Sequence, residues 1–213
     1  MANIFNTKII IKEKLILAEG DDDCYFLLNL LLKTGIDDIQ ISDIEGVNKL
    51  TNHIEAIKGI EGFDIVTSIL IFRDSEKSAE NACKSVNISL KETKLIETDI
   101  EPFIMSRQNN RKIGFALFPG IDENGKIYKY GSLEDLCLRL FKEKSVTEEI
   151  KAYIKDFQSK TEDFKRPHKN ELHASFSFTD NFVGLKIGET AKAGGFDFDS
   201  PYLKPFLNMI KEM

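Results

Sequence analysis

Apolar and polar positions follow two rhythms along the chain. Lys14 to Ala18 (KLILA) is a continuous apolar run, the pattern of a strand buried on both faces, and Glu19 and Gly20 end it. From Asp22 to Lys33 the residues Tyr25, Phe26, Leu28, Leu31 and Leu32 recur at helical spacing, with Gly35 as the stop. A short strand is predicted at Ile39 to Ile41, then a helix opened by Gly46 and carrying Val47, Leu50, Ile54 and Ile57. The strongest strand signal is Asp64 to Phe72 (DIVTSILIF), ending in Arg73-Asp74-Ser75-Glu76 before a polar helix to about Leu90. Strands that each lead into a helix require right-handed crossovers, so the sheet is expected to be parallel with helices on both faces.

The rhythm then changes. Lys112 to Phe118 (KIGFALF) predicts another strand, closed by Pro119-Gly120, and Asn124-Gly125 predicts a tight hairpin turn. Ser132 starts a helix with Leu133, Leu136, Leu140 and Phe141 on one face, and a further helix runs from Val146 to about Phe164. Pro167 breaks the pattern, and helical segments, one near Pro201, close the chain. The expected organisation is an α/β core over 1–130 with a helical extension over 131–213 packed on it, as a single compact unit.

Composition narrows the class. The 213 residues are 42% hydrophobic and 30% charged, as in an ordinary globular cytoplasmic protein. No apolar run is long enough to span a bilayer, and Lys8, Lys12, Glu13 and Lys14 break up the N-terminal apolar pieces, which suit strands better than a signal peptide. Cys24, Cys83 and Cys137 are widely spaced in apolar helical contexts, arguing for buried free thiols over a disulfide framework or a zinc site. His53, His168 and His173 show no metal-ligand spacing. The net charge of −6 does not draw nucleic acid in, although a bound divalent cation inverts the local potential.

In open parallel sheets ligands bind beyond the carboxyl ends of the strands. Acid stands there twice: Glu19 with Asp23 after the first strand, and Asp74 with Glu76 after the third. Should those strands be neighbours, four carboxylates converge, their pKa values rise, and hard oxygen ligands suit Mg²⁺ or Mn²⁺. Asp21, Asp22 and Ser75 have a plainer role as caps or solvated first-turn residues. Glu19 is a poor cap, and Gly20 beside it allows close approach of another group. For Asp74, spacing alone does not choose.

These residues carry a resemblance. Leu15-Ile16-Leu17-Ala18-Glu19-Gly20 with Asp23 resembles the first motif of the Toprim fold, and Asp74-Ser75-Glu76 resembles its Asp-x-Asp motif with Glu as the second acid. Gly46 falls where Toprim proteins place a glycine after the second strand. Gly131-Ser132-Leu133-Glu134-Asp135-Leu136 and Gly195-Phe196-Asp197-Phe198 with Ser200-Pro201 resemble segments of a small bacterial Toprim-related family, domain of unknown function 3226, related to the overcoming-lysogenization-defect nucleases. The resemblance implies a three-layer α/β sandwich with a mainly parallel sheet and a C-terminal helical extension. It implies Mg²⁺-dependent phosphodiester chemistry, with Glu19 as general acid/base or metal ligand and Asp23, Asp74, Glu76 and Glu134 as metal ligands. The longer Glu76 side chain shifts its ligand oxygen relative to the family's aspartate.

Basic residues are the candidate phosphate contacts: Arg73 beside the acids, Arg107, Arg111 and Lys112 near a strand start, and Lys165, Arg166 and Lys169 around Pro167. A solvated surface, or for Arg73 neutralisation of the acids, is the alternative. Expected partners are a nucleic acid or nucleotide, a protein, or a second copy in a homodimer, with no membrane. A non-enzymatic module that binds a partner protein is the competing function. A phospho-acceptor signalling domain fits less well, because Lys112 begins its strand where that chemistry needs a lysine at a strand end.

Overall fold

The computed structural model describes residues 8–46, 49–108, 110–160 and 167–213, without the side chain of residue 167. Val47, Phe164, Lys165 and Arg166 lie outside the described residues. Five strands form one sheet in the order β2-β1-β3-β5-β4: β1 Lys14–Ala18, β2 Ile39–Asp43, β3 Ser68–Asp74, β4 Ser106–Gln108 and β5 Arg111–Phe118. β1 pairs in parallel with β2 and β3, and β3 with β5; only the short edge strand β4 is antiparallel.

Among the described residues the eight α-helices are α1 Asp21–Thr34, α2 Leu50–Lys58, α3 Ala79–Glu92, α4 Leu133–Leu140, α5 Lys144–Gln158, α6 Pro167–Ser177, α7 Ile187–Lys192 and α8 Lys204–Glu212. Alternation along the strands sorts them into layers. Ile16, Leu70, Phe72, Ala116 and Phe118 face α1, α4, α6, α7 and α8. Leu15, Leu17, Ile69, Ile71, Phe115 and Leu117 face α2 and α3. The helices after residue 130 thus build most of one layer of an α/β/α sandwich. Aromatic rings fill that layer: Phe26 meets Phe118, Phe196 and Phe198, and Phe206 meets Phe72 and Phe118. No helix among the described residues is long and apolar enough to cross a membrane.

Several local expectations are corrected. The third strand begins at Ser68 and ends at Asp74, with a 3₁₀ turn at Phe63–Ile65, so Arg73 and Asp74 are its last residues. In α1 the buried face is Cys24, Phe26, Leu27, Leu30 and Leu31, while Tyr25 and Leu32 are exposed; in so apolar a helix periodicity does not single out one stripe. Ile9 to Ile11 form no strand; Gln40 holds them through its amide, donating to the Ile9 carbonyl and accepting from the Ile11 N–H. Ser75 is no cap, since Ser78 accepts the Asn81 N–H at the start of α3. The Asn124-Gly125 turn is wider than a two-residue hairpin: Ile121 bridges Ile127, and Asp122 Oδ1 accepts the Asn124 and Lys126 N–H groups. Cys24 and Cys137 are buried, but Cys83 is only partly so.

Candidate active site

Adjacent parallel strands β1 and β3 end side by side, and the chain leaves each carrying acid. Glu19, Asp23, Asp74, Glu76, Glu134 and Lys169 all line one cleft of about 320 Å³ beyond those ends, with Gly46 (φ +121°) on its rim. Glu19 follows β1 directly and Asp23 stands in the first turn of α1. Gly20 is the N-cap in extended geometry, and a Cβ there would meet Asp23 Oδ2 at an ordinary 3.7 Å, so no close approach demands this glycine. Asp21 and Asp22 lie in the first helical turn, not at the cap; Asp21 is exposed and Asp22 half-buried at the cleft.

Gly131 brings the third contributor in. Its backbone and that of Glu76 exchange two hydrogen bonds, N–H to O, of 2.8 and 2.9 Å. With φ +129°, and with Pro119 Cδ only 2.8 Å from where a Cβ would stand, only glycine fits there without displacement. Helix α4 then starts against β3: the Leu133 N–H donates to Asp74 Oδ1 at 2.9 Å, and the Ser132 N–H to Asp135 Oδ2 at 2.9 Å. Glu134, 5% exposed, accepts from Ser132 Oγ (2.7 Å) and pairs with the Lys169 ammonium of α6 (2.6 Å). Asp135 pairs with His168 Nδ1 at 3.3 Å.

The electrostatics separate these acids. Burial first, then Glu19, Glu134 and Asp22, push Asp23 well above the usual carboxylate range; burial, Asp23, Glu19 and Glu134 do the same to Asp74. Burial raises Glu19, opposed by Arg73 and a hydrogen bond from the Asp74 backbone, and its Oε2 is enclosed with no hydrogen-bond partner among the described residues. Glu134 is lowered: burial pushes it up, but the Lys169 and Ser132 hydrogen bonds outweigh that. Glu76 is exposed, its backbone at φ +50°. Arg73 does not line the cleft; its Nη1 donates to Ser85 Oγ at 2.9 Å, and its charge acts on Glu19 from behind.

Of the other basic residues, Arg111 stacks on Phe63 and donates to the Val66 carbonyl, and Lys112 donates to the Glu212 carbonyl, both at the amino end of β5 and away from the acids. Sequence reasoning gave Ser132 and Asp22 only helix-start roles, and the Asp135–His168 pair escaped it. The Ser-x-x-Asp spacing of a capped helix start was the available signal for Ser132 and Asp135.

Hard carboxylate oxygens, those of Asp23 and Asp74 on acids whose pKa values burial and neighbouring carboxylates raise, form a donor set whose chemistry suits a divalent cation. Among the described residues no three His, Cys, Asp or Glu side chains already stand as a metal-ligand group. Lys169 takes one Glu134 oxygen and the Leu133 N–H takes one from Asp74.

Residues 13–213 match the family described as Protein of unknown function (DUF3226). The chain belongs to that family. Among solved structures, this DUF3226 chain is similar to the C-terminal region of the Xanthomonas campestris pv. campestris OLD protein, at 14% identity and a TM-score of 0.50, over 96% of this chain and 97% of that one. The C-terminal region of the Burkholderia pseudomallei OLD protein matches at 16% identity and a TM-score of 0.46, over 95% and 98%. The first likeness is one of fold, and with the family it bears out the Toprim-like three-layer architecture with a C-terminal helical extension. A search of curated proteins gave no match.

Proposed function

We propose that this DUF3226 protein processes phosphodiester bonds in nucleic acid or nucleotides with Mg²⁺ or Mn²⁺, as a nuclease-like Toprim protein of the cytoplasm serving a mobile-element or defence system. The observation that carries this reading is the convergence of half-buried Glu19, Asp23 and Asp74 around one cleft at the carboxyl ends of β1 and β3, with fewer cationic than acidic groups to balance them. The fold likeness to OLD C-terminal regions supports it.

Asp23, Asp74, Glu76 and Glu134 would hold the metal. When bound, the cation neutralises phosphate charge and lowers the pKa of water. Burial raises the pKa of Glu19, which lines the cleft beside the other acids, suiting it to proton transfer. Lys169 is placed to exchange Glu134 for a substrate phosphate, and Arg73 to steady Glu19.

Calorimetry with Mg²⁺ and Mn²⁺ on the native protein and Asp74→Asn tests this. Binding that disappears in the variant, followed by metal-dependent cleavage of an oligonucleotide, is expected; equal binding in both proteins, or none in either, overturns it. A second reading has one observation behind it: the Lys169 ammonium already serves as counter-charge inside the cleft. On that reading the protein is a non-enzymatic module that binds a partner protein or a second copy. Absence of metal binding together with a stoichiometric co-purifying partner would favour it.

A further inference from the structure

Four of the five tyrosines are accounted for by their neighbours. Arg139 lies over the rings of Tyr128 (3.9 Å) and Tyr202 (5.7 Å), Tyr153 stacks on Phe157, and Tyr25 packs against Gly188 of α7. Tyr130 has no hydrogen bond, ion pair or ring contact among the described residues, and it is 66% exposed. A single exposed ring is ordinary on a protein surface. The place where this one stands is not.

Tyr130 sits between two backbone anchors beside the acidic cleft. Before it, the Lys129 carbonyl accepts the Ala79 N–H at 2.8 Å; after it, Gly131 exchanges its two hydrogen bonds with Glu76. Gly131 lines a recess together with Asp74, Glu76 and Lys77, and the first two of these acids line the cleft as well. The ring is therefore carried one residue from the wall that holds Asp74 and Glu76, on backbone tied to the segment between β3 and α3. Two exposed lysines, Lys77 and Lys129, meet the exposed Glu76 carboxylate at this rim, so net charge gives it little pull on a polyanion. Stacking does not depend on that balance, because every nucleic-acid base offers a π face.

We propose that Tyr130 is a stacking platform for a base next to the phosphate in the acidic cleft, which makes an unpaired nucleic-acid strand the substrate. The inference rests on the phosphodiester reading for the position of that phosphate, but on a residue which that reading does not use. In the interior of a duplex each base face is covered by its neighbours, so only a single-stranded or extruded nucleotide can offer one to a fixed ring.

The test is fluorescence anisotropy of a labelled single-stranded oligodeoxynucleotide with the full chain, with Ca²⁺ in place of Mg²⁺ and across a salt series. Tyr130→Ala is expected to weaken binding roughly tenfold, and Tyr130→Phe, which keeps the ring face, by less than about twofold. The salt slope is expected to be the same in the native protein and Tyr130→Ala, because lost stacking leaves counterion release unchanged. Tyr153→Ala, which removes the comparably exposed tyrosine of α5, is expected to change nothing. Native affinity in Tyr130→Ala, equal losses in Tyr130→Ala and Tyr130→Phe, or no strand binding by the native protein overturns the proposal. Metal calorimetry and cleavage assays on the same proteins separate the two readings. Metal-dependent cleavage with native strand affinity in Tyr130→Ala sinks the platform alone; Tyr130-sensitive strand binding without metal affinity sinks the metal reading alone.

Discussion

Glu76 and Gly131 exchange two backbone hydrogen bonds, and through this short ladder the end of β3 is stitched to the start of α4. Everything the cleft owes to α4, the Leu133 N–H on Asp74 and the buried Glu134, hangs on it. Gly131→Ala forces a Cβ into a positive φ and to within 2.8 Å of Pro119. The expected loss is about 3 kcal/mol in urea unfolding, with metal affinity falling in step because Glu134 moves. An alanine variant of native stability would show that the stitch is dispensable.

Asp74→Asn separates stability from metal binding. The amide keeps an acceptor for the Leu133 N–H and removes a charge that burial and three carboxylates disfavour. The metal-free variant is expected to be as stable as the native protein or more so, by about 1 kcal/mol, while losing metal-induced stabilisation. Thermal melts with EDTA and with Mg²⁺ give both numbers. Destabilisation of the metal-free variant would mean that the carboxylate is satisfied where it stands.

The same crowding sets a pH dependence. Asp23 and Asp74 titrate well above the ordinary range in the folded state, whereas in the unfolded chain they ionise near pH ~3.9. Above that value the folded state binds more protons than the unfolded one, so these groups withdraw stability as pH rises towards their folded pKa. Glu134 acts oppositely, its contribution disappearing only as pH falls through its lowered pKa, below this window. Without metal, urea midpoints are therefore expected to fall as pH rises above about 4, and the fall to be shallower in Asp74→Asn. Parallel slopes in the two proteins would contradict the assignment.

Much of this was readable before the coordinates. β1 and β3 announced themselves because strands covered on both faces read as unbroken apolar runs, and the end-of-strand rule then pointed to Glu19 and Asp74. β4 did not, being three polar, partly exposed residues on an edge. Glu134 and Lys169 are distant in sequence from those strands; resemblance flagged Glu134, and only the packing of α4 and α6 revealed that the two residues pair.

Lys169 distinguishes a resident counter-charge from a substrate ligand. Its side chain is 44% exposed, while that of Glu134 is 7% exposed, so the lysine is the more solvated member of the pair. Lys169→Met leaves Glu134 with the Ser132 hydroxyl and its own backbone N–H but no counter-charge from the lysine, at an expected cost of about 1–2 kcal/mol without metal. Pairing the change with Glu134→Gln should recover most of it, since the amide leaves no unpaired buried charge. If Glu134 is a metal ligand, saturating Mg²⁺ should rescue Lys169→Met as well, through its differential affinity for the folded state. Rescue by Glu134→Gln but not by Mg²⁺ would mark the pair as a structural ion pair and turn the balance towards a cleft that holds no metal.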